Sequence, residues 1–416
     1  MNQSGETVKK GRKMGQLYYF EVKKIICKRV NQIAMLLGLL LMIICNIAQI
    51  QGETFRDGDK ELSGVSAILR QEEIENSLTS VLNEEFLTDF LQEYQLQMSD
   101  SPYEYDWELI EPQRNLFSCI SKNYVEWNEY INLENLNEIN TDSGIGFYDR
   151  RIKKIETLLN AEYSYGNFSE AEKEYWLAKA KAVDIPFLWG GTNAWDIIWT
   201  GIELLFYLFF VISICISPVF AGEYQNRTDA LLLTSKHGKS KVISAKILAA
   251  FTFVFIYITI CSSASIGISC ALLGIDGWNL PVQLWDTIIP YQMTVFKACI
   301  INLSVIFLIS FFLTAFSLLI STLSKSPMIV LALSILLVFG TIFLPSSKSI
   351  GLWNKILYLF PLNCVDLKHV LRTYNSYQFG SLIISYLEMI FIVYIALTII
   401  CLLYTGKGFK NHQVKN

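Results

Sequence analysis

Two carboxylates interrupt apolar stretches of this sequence, where a charge is costly. Glu203 and Glu388 each lie about eight residues inside such a stretch, and Lys297 immediately precedes another. Charges within membrane spans are rare, usually face the interior of a helix bundle and are often paired. At 1.5 Å per residue both carboxylates would lie roughly 12 Å below one membrane surface, within reach of Lys297. This predicts a gate or substrate contact; the alternative is side chains that snorkel towards water.

The sequence contains no recognisable catalytic motif. It has no GxxxxGK[ST] phosphate loop, no GxSxG or HExxH signature, and its three histidines stand far apart. Most of the nine cysteines lie in apolar stretches, where cysteine behaves as a small hydrophobic residue. We therefore expect no catalytic site, no metal and no cofactor in this chain, and no nucleic-acid partner.

Six apolar stretches are long enough to cross a membrane, which requires about 20 mostly apolar residues. Of the whole chain, 52% is hydrophobic and only 17% is charged, against about 25% charged in soluble domains. The predicted spans are residues 33–50, 195–220, 247–273, 298–323, 327–345 and 380–404. The predicted fold class is an all-α integral membrane protein with six transmembrane helices, surrounded by lipid.

The distribution of basic residues predicts which ends of these spans face the cytoplasm. If the N-terminus is inside, the inner segments carry 17 Lys and Arg residues and the short outer loops carry five. Because Lys and Arg accumulate in cytoplasmic loops, we predict a multi-pass plasma-membrane protein with both termini in the cytoplasm. The inner segments are then residues 1–32, 221–246, 324–326 and 405–416.

The stretch before the first span has an amphipathic pattern. One helical stripe carries Tyr18, Tyr19, Val22, Ile25, Ile26 and Val30, and the charged residues lie elsewhere. This pattern is typical of a helix that lies in the membrane interface. The alternative is a cytosolic extension of the first span.

An acidic module, residues 51–194, separates the first two spans. Residues 51–195 carry 28 acidic and 12 basic side chains, a net charge of −16. Apolar spacing indicates a mainly helical extracellular domain, and its single cysteine, Cys119, excludes an internal disulfide. The predicted helices cover residues 69–98, 113–131 and 147–160, followed by one that opens at the capping box Ser169-x-x-Glu172.

Residues 346–379 lie between the last two spans and are too short to cross the membrane twice. Two short helices are predicted, over 350–360 and 365–374, with a break at Pro361. We expect them to dip into the outer leaflet or to lie on it.

The inner loop 221–246 contains three adjacent leucines, which a solvated connector would not expose. A short helix is predicted around 229–235, between charged turns. We therefore predict that this loop docks a soluble partner. The residues expected to couple the chain to that partner are Glu223, Arg227, Leu231, Leu232, Leu233 and Ser235.

This loop, with Glu223, its leucines, Ser235, and Lys246 at the start of the next span, resembles the coupling-helix loop of type-2 ATP-binding-cassette (ABC) transporter permeases. The amphipathic stretch is similar to the elbow helix of that family, and residues 350–374 are similar to its outer re-entrant helices. The resemblance covers about residues 16–50 and 195–405. The insertion 51–195 resembles that of a subset found in Gram-positive bacteria.

The resemblance implies that this chain is the permease of an exporter. Its partners would be a cytoplasmic ABC ATPase, which binds ATP and Mg²⁺, and a second permease, either a copy or a paralogue. Peptide antibiotics, ions, lipids and glycans all remain plausible cargo.

Two other functions are compatible with parts of the sequence. A membrane receptor with the outer module as its sensor would need a cytoplasmic signalling domain, and the longest inner segment has only 32 residues. An intramembrane enzyme would need facing polar pairs in the spans, where Glu203 and Glu388 are the clear acids.

Overall fold

Apolar helices form the body of the molecule. The computed structural model describes residues 3–58, 60–98, 114–125, 139–163, 167–228, 234, 241–344 and 351–410. In this part of the chain five helices are long and apolar enough to span a membrane, and Pro327–Phe343 is a shorter apolar segment. The five are Arg29–Gly52, Asn193–Gln225, Lys241–Leu273, Val295–Leu323 and Tyr386–Phe409.

A sharp break separates the two N-terminal helices. α1 (Gln3–Ile26) is amphipathic, and α2 (Arg29–Gly52) is the first candidate span. Asn31 Nδ2 donates to the carbonyl of Ile25 at 2.8 Å, which satisfies a backbone acceptor that the end of α1 leaves free. The apolar residues of the predicted stripe are divided between the protein core and the surface. Tyr18, Val22 and Ile25 pack into the core, whereas Tyr19, Ile26 and Val30 are exposed.

The module between the first two candidate spans is mainly helical, as expected, with short strands added. Its elements are β1 (Thr54–Asp57), β2 (Lys60–Ser63), α3 (Val65–Ser77), β3 (Ser80–Val81), α4 (Glu84–Met98), α5 (Arg114–Ser121), a 3-10 turn (Thr141–Gly144), α6 (Phe147–Asn160), α7 (Glu170–Lys181) and β4 (Leu188–Trp189). β1 pairs with β2 and β3 with β4, both antiparallel.

Two predicted features of the module are present, and one differs. α6 covers the predicted 147–160, and the capping box at α7 forms, with Glu172 N–H donating to Ser169 Oγ at 3.3 Å. The helix predicted over 69–98 is instead split into α3 and α4. The chain leaves helical geometry there because β3 pairs with β4, and Asn83 then caps the start of α4.

The second candidate span consists of consecutive helical pieces. These are α8 (Asn193–Glu203), a 3-10 turn (Leu204–Tyr207), α9 (Leu208–Ile216) and α10 (Pro218–Gln225). The joint before α10 is stabilised by Ser321, whose hydroxyl accepts from Ala221 N–H at 2.8 Å and donates to Ser217 O at 2.8 Å. The Ser321 hydroxyl thus pairs the N–H of Ala221 and the carbonyl of Ser217 inside the bundle, as a membrane requires of backbone groups.

The remaining bundle helices are α11 (Lys241–Leu273), α12 (Val295–Leu323) and α13 (Pro327–Phe339), which a 3-10 turn (Gly340–Phe343) extends. α12 presents small polar residues to its neighbours at helical spacing: Ser310, Thr314, Ser317 and Ser321 are all fully buried. Small residues let membrane helices approach closely. A β-carbon at Gly408 on the last helix would lie only 2.7 Å from Thr322 Oγ1, so these two helices touch there.

The segment before the last helix differs from the prediction. Three short helices replace two: α14 (Leu352–Tyr358), α15 (Pro361–Val365) and α16 (Leu367–Arg372). A hairpin of β5 (Ser376–Phe379) and β6 (Leu382–Ser385) follows, so the last helix, α17 (Tyr386–Lys410), begins at 386 rather than at 380. Gly380 has a φ of +63° at the turn of that hairpin, a conformation that glycine adopts without strain. Three small two-stranded sheets accompany the helices in the described part of the chain, which is mostly helical and so consistent with the expected all-α membrane fold.

A buried arginine attaches the module to the bundle. Arg151 of α6 is 1% exposed, and its guanidinium donates to the carbonyls of Thr287 at 2.5 Å, Ile289 at 3.2 Å and Ala180 at 3.0 Å. Thr287 and Ile289 belong to the connection between α11 and α12, whereas Ala180 belongs to α7. We call the end of the bundle at this connection the module end.

Candidate functional site

A buried cluster of charges occupies the end of the bundle away from the module. Lys246 Nζ lies 2.9 Å from Glu21 Oε2 and 2.9 Å from Glu223 Oε1, and donates to Val219 O at 3.1 Å. Lys24 forms a second ion pair with Glu223. We call these four residues, Glu21, Lys24, Glu223 and Lys246, the charge network.

The charge network is largely removed from solvent. The Lys246 side chain is 1% exposed, that of Glu21 9% and that of Glu223 7%, whereas Lys24 is half-exposed. The network contains two lysines and two glutamates, so the charges of the ionised groups cancel. Desolvation makes a buried ion pair a weak source of net stability, but removing one partner leaves an uncompensated charge and costs about 3–5 kcal/mol.

Three elements meet at the charge network. Glu21 and Lys24 come from one face of α1, three residues apart; Glu223 comes from the last turn of α10 and Lys246 from the beginning of α11. The network therefore ties α1 to both ends of the connection between α10 and α11. A cavity of about 140 Å³ lies beside it, between α1 and α10.

The beginning of the connection is also fixed by Glu223. Thr228 donates from its hydroxyl to the Glu223 carboxylate and from its N–H to the Glu223 carbonyl at 3.0 Å. Arg227 lies between them with a φ of 56°, a left-handed conformation uncommon for any residue but glycine and asparagine. Its side chain is exposed and takes no part in the charge network. Such strain persists where surrounding contacts determine the backbone.

The sequence identifies only part of this cluster. Its patterns predict Glu223 as a site residue and place Lys246 at the start of a span, but they assign Glu21 to the polar side of α1. The structure buries Glu21 against Lys246. The remaining predicted docking residues, Leu231, Leu232, Leu233 and Ser235, lie outside the described residues.

The second set of predicted residues does not come together. No ion pair joins Lys297 to Glu203 or Glu388, although the structure describes all three. Glu203 instead accepts a hydrogen bond from Trp199 Nε1. Lys297 is exposed in the first turn of α12, where its N–H donates to Thr294 Oγ1 at 3.3 Å.

Glu388 has a local structural role. Its carboxylate accepts from Ser385 N–H at 2.9 Å, and its own N–H donates to Ser385 Oγ at 3.4 Å, which closes a capping box at the start of α17. The predicted depth of eight residues is wrong because α17 starts at Tyr386. Glu388 is thus an exposed first-turn residue, and its match in depth with Glu203 disappears.

Two buried carboxylates of the module lie near the start of α8. Burial raises the pKa of Glu72 to about 7 and that of Glu75 to about 7. Glu75 accepts hydrogen bonds from Asn115 at 2.6 Å and Asn193 at 2.8 Å, and these bonds partly oppose the rise in its pKa. Among the described residues, no group of His, Cys, Asp and Glu has the arrangement of a metal site.

Comparisons with known proteins give one result. The model of one family, described as ABC-2 family transporter protein, matches residues 21–403. Neither a curated protein nor a solved structure matches the chain. The matched region includes the charge network and all five long candidate spans except residues 404–409 at the end of the last one.

Proposed function

The chain belongs to the ABC-2 family of transporter proteins, and from this membership we propose that it is the permease of an ABC exporter with six spans. Pro327–Phe343 would be the short fifth span, beside the five long apolar helices. The family is one of membrane components of transporters that are generally not catalytic themselves. ATP and Mg²⁺ would be bound by a separate ABC ATPase, and the chain has no phosphate loop of its own.

The proposed orientation places the charge network in the cytoplasm and the module outside, in the plasma membrane of a Gram-positive bacterium. The 17 inner and five outer basic residues support it. A second permease, a copy or a paralogue, would complete the transport pathway. The acidic module would belong to the subset with a large extracellular insertion.

The single observation that carries the coupling proposal is the burial of Lys246 between Glu21 and Glu223. The ATPase would dock on residues 226–240, through Leu231, Leu232, Leu233 and Ser235, with Arg227 beside them. Because both ends of this segment are tied to α1 by the charge network, its displacement by the ATPase would move α10, α11 and α1 together. Coupling then consists of different contacts in two states of the same elements.

At the opposite end, Glu203 would lie on the transport path. Its hydrogen bond with Trp199 and the nearby cation Lys368, rather than Lys297, support that role. Lys297 and Glu388 lie in the first turns of α12 and α17, and we do not assign them to this path.

ATP hydrolysis tests the proposed function. The chain purified alone should hydrolyse no ATP, whereas the assembly recovered under mild conditions from its host should contain an ABC ATPase and hydrolyse ATP. The variant Glu223→Gln should still assemble but should couple hydrolysis to cargo less well. Hydrolysis by the isolated chain, or host assemblies without any ATPase, would contradict the proposal.

A further inference from the structure

An aromatic box at the module end holds a lysine of the chain itself. The ammonium group of Lys368 lies 4.5 Å from the ring centre of Trp285 and 5.7 Å from that of Trp199. The two rings meet edge to face, with centres 4.7 Å apart. Asp196 completes the box by forming an ion pair with the same ammonium group.

These groups match an organic cation. An ammonium ion within about 6 Å of a tryptophan ring is attracted by the ring quadrupole, and cages of this kind recognise quaternary ammonium ligands. A carboxylate on the open side supplies the opposite charge. A second carboxylate, that of Glu203, lies behind the box, where Trp199 Nε1 donates to it.

The box is open to the outside of the protein. The side chains of Lys368 and Asp196 are 35% and 39% exposed, whereas Trp199 is 1% exposed and forms the floor. An ion pair with this much exposure contributes little to stability, about 0–1 kcal/mol. Lysine is held by a flexible stem of four carbons, so its head group can leave without unfolding its neighbours.

The helix that delivers Lys368 is anchored independently of the box. In α16, Leu367, Val370 and Leu371 are fully buried, and Arg372 pairs with Asp286 at 2.9 Å. The position of α16 therefore does not depend on the Lys368 ammonium group.

We propose that Asp196, Trp199 and Trp285 form a binding site for an organic ammonium group at the module end, and that Lys368 is its internal occupant, which the ligand displaces. The proposal deepens the function proposed above, since it assigns a cationic class of cargo to the transport path. Lys368 thereby sets a threshold: a cation must compete with a tethered ammonium group before it occupies the box.

Direct binding tests this site. The full chain is placed in phosphatidylglycerol nanodiscs, whose lipid lacks an ammonium group, and binding of radiolabelled tetramethylammonium is measured. Lys368→Met should bind about tenfold more tightly than the wild type, equivalent to about 1.4 kcal/mol. Lys153→Met, which removes an exposed lysine of the module outside the box, should bind like the wild type.

Adding Asp196→Asn or Trp285→Leu to Lys368→Met should abolish the gain. Two different second changes are used so that a folding defect, seen as a lowered melting midpoint, in one leaves the other informative. No saturable binding to Lys368→Met, or undiminished binding in both double variants, would overturn the proposal.

Phosphatidylcholine nanodiscs identify the source of the ammonium group. Weaker tetramethylammonium binding to Lys368→Met in that lipid identifies a lipid headgroup, and unchanged binding identifies a soluble compound. The assay contains no ATPase, so its result is separate from that of the hydrolysis and docking tests of the proposed function.

Discussion

Lys246 and Glu223 form an ion pair at 2.9 Å across the connection between α10 and α11, with the lysine 1% exposed. The two residues are 23 positions apart in the sequence, and Glu21 of α1 approaches the same ammonium group from the other side. This relationship binds three elements at one point.

Lys246→Met should therefore destabilise the protein strongly. It leaves Glu21 and Glu223 buried without their shared cation, at a cost of about 3–5 kcal/mol, and thermal unfolding in detergent should show a lowered midpoint. Lys325→Met, a change of the same type at an exposed position, should leave the midpoint unchanged. The double variant Lys246→Met/Glu223→Gln should lose less stability than the sum of the losses in the two single variants. Strictly additive losses of stability would contradict the ion pair.

The orientation predicts which positions an impermeant reagent reaches. In a cysteine-free background, cysteine at Asn160 or Gln378, both exposed at the module end, should react with a membrane-impermeant maleimide in intact cells. Cysteine at Lys325, exposed beyond α12, should react only after permeabilisation. Labelling of position 325 in intact cells would contradict the proposed orientation.

Stability of the module should fall as pH rises from about 4.5 to 7. The pKa of Glu72 and of Glu75 is about 7 in the folded protein, above the ordinary value of 4.5, so the folded state retains protons that the unfolded chain releases in this range. Ionising each carboxylate costs on the order of 3 kcal/mol. Hydrogen exchange in α3 should be slower at pH 5 than at pH 8, after correction for the intrinsic rate.

Glu72→Gln should reduce that pH dependence, because glutamine resembles the protonated acid in size and polarity but does not titrate. Glu73→Gln, which changes the exposed neighbour, is the matched control and should leave the dependence intact. An unchanged pH profile in Glu72→Gln would show that this carboxyl does not titrate near pH 7.

The capping box at α17 predicts graded losses of stability. Ser385→Ala and Glu388→Ala should each lower the free energy of unfolding by about 0.5–2 kcal/mol, with less than additive losses in the double variant because the residues pair with each other. Glu388→Gln should be tolerated, since glutamine also closes a capping box. Severe loss of stability in Glu388→Gln would show that its charge has a further role.

Those parts of the structure that are determined locally could be predicted from the sequence. The bundle, α6 and the Ser169–Glu172 capping box each follow from periodicity or a short motif. The depth of Glu388 could not be predicted in this way. The residues before it, Leu382 to Ile384, are apolar, and a hydropathy criterion accepts them equally well as a strand or as a helix. The pairing of β5 with β6 makes them a strand.

The candidate sites require contacts between distant residues. On a helical wheel Glu21 lies on the polar side of α1. Its burial is explained by the ion pair with Lys246, which is 225 positions away in the sequence. Lys368 and Trp285 are likewise brought together by tertiary packing, so no spacing in the sequence could have indicated the aromatic box.

The docking of an ATPase on residues 226–240 is tested most directly by co-purification. Tagged wild-type chain, Leu232→Asp and Leu69→Asp are purified from host membranes under mild conditions, and the ATPase that accompanies each is quantified by mass spectrometry. Leu69 is an exposed leucine of the module and provides a matched control. We predict that Leu232→Asp reaches the membrane without the ATPase, whereas the wild type and Leu69→Asp retain it; equal recovery of the ATPase from all three would contradict the account.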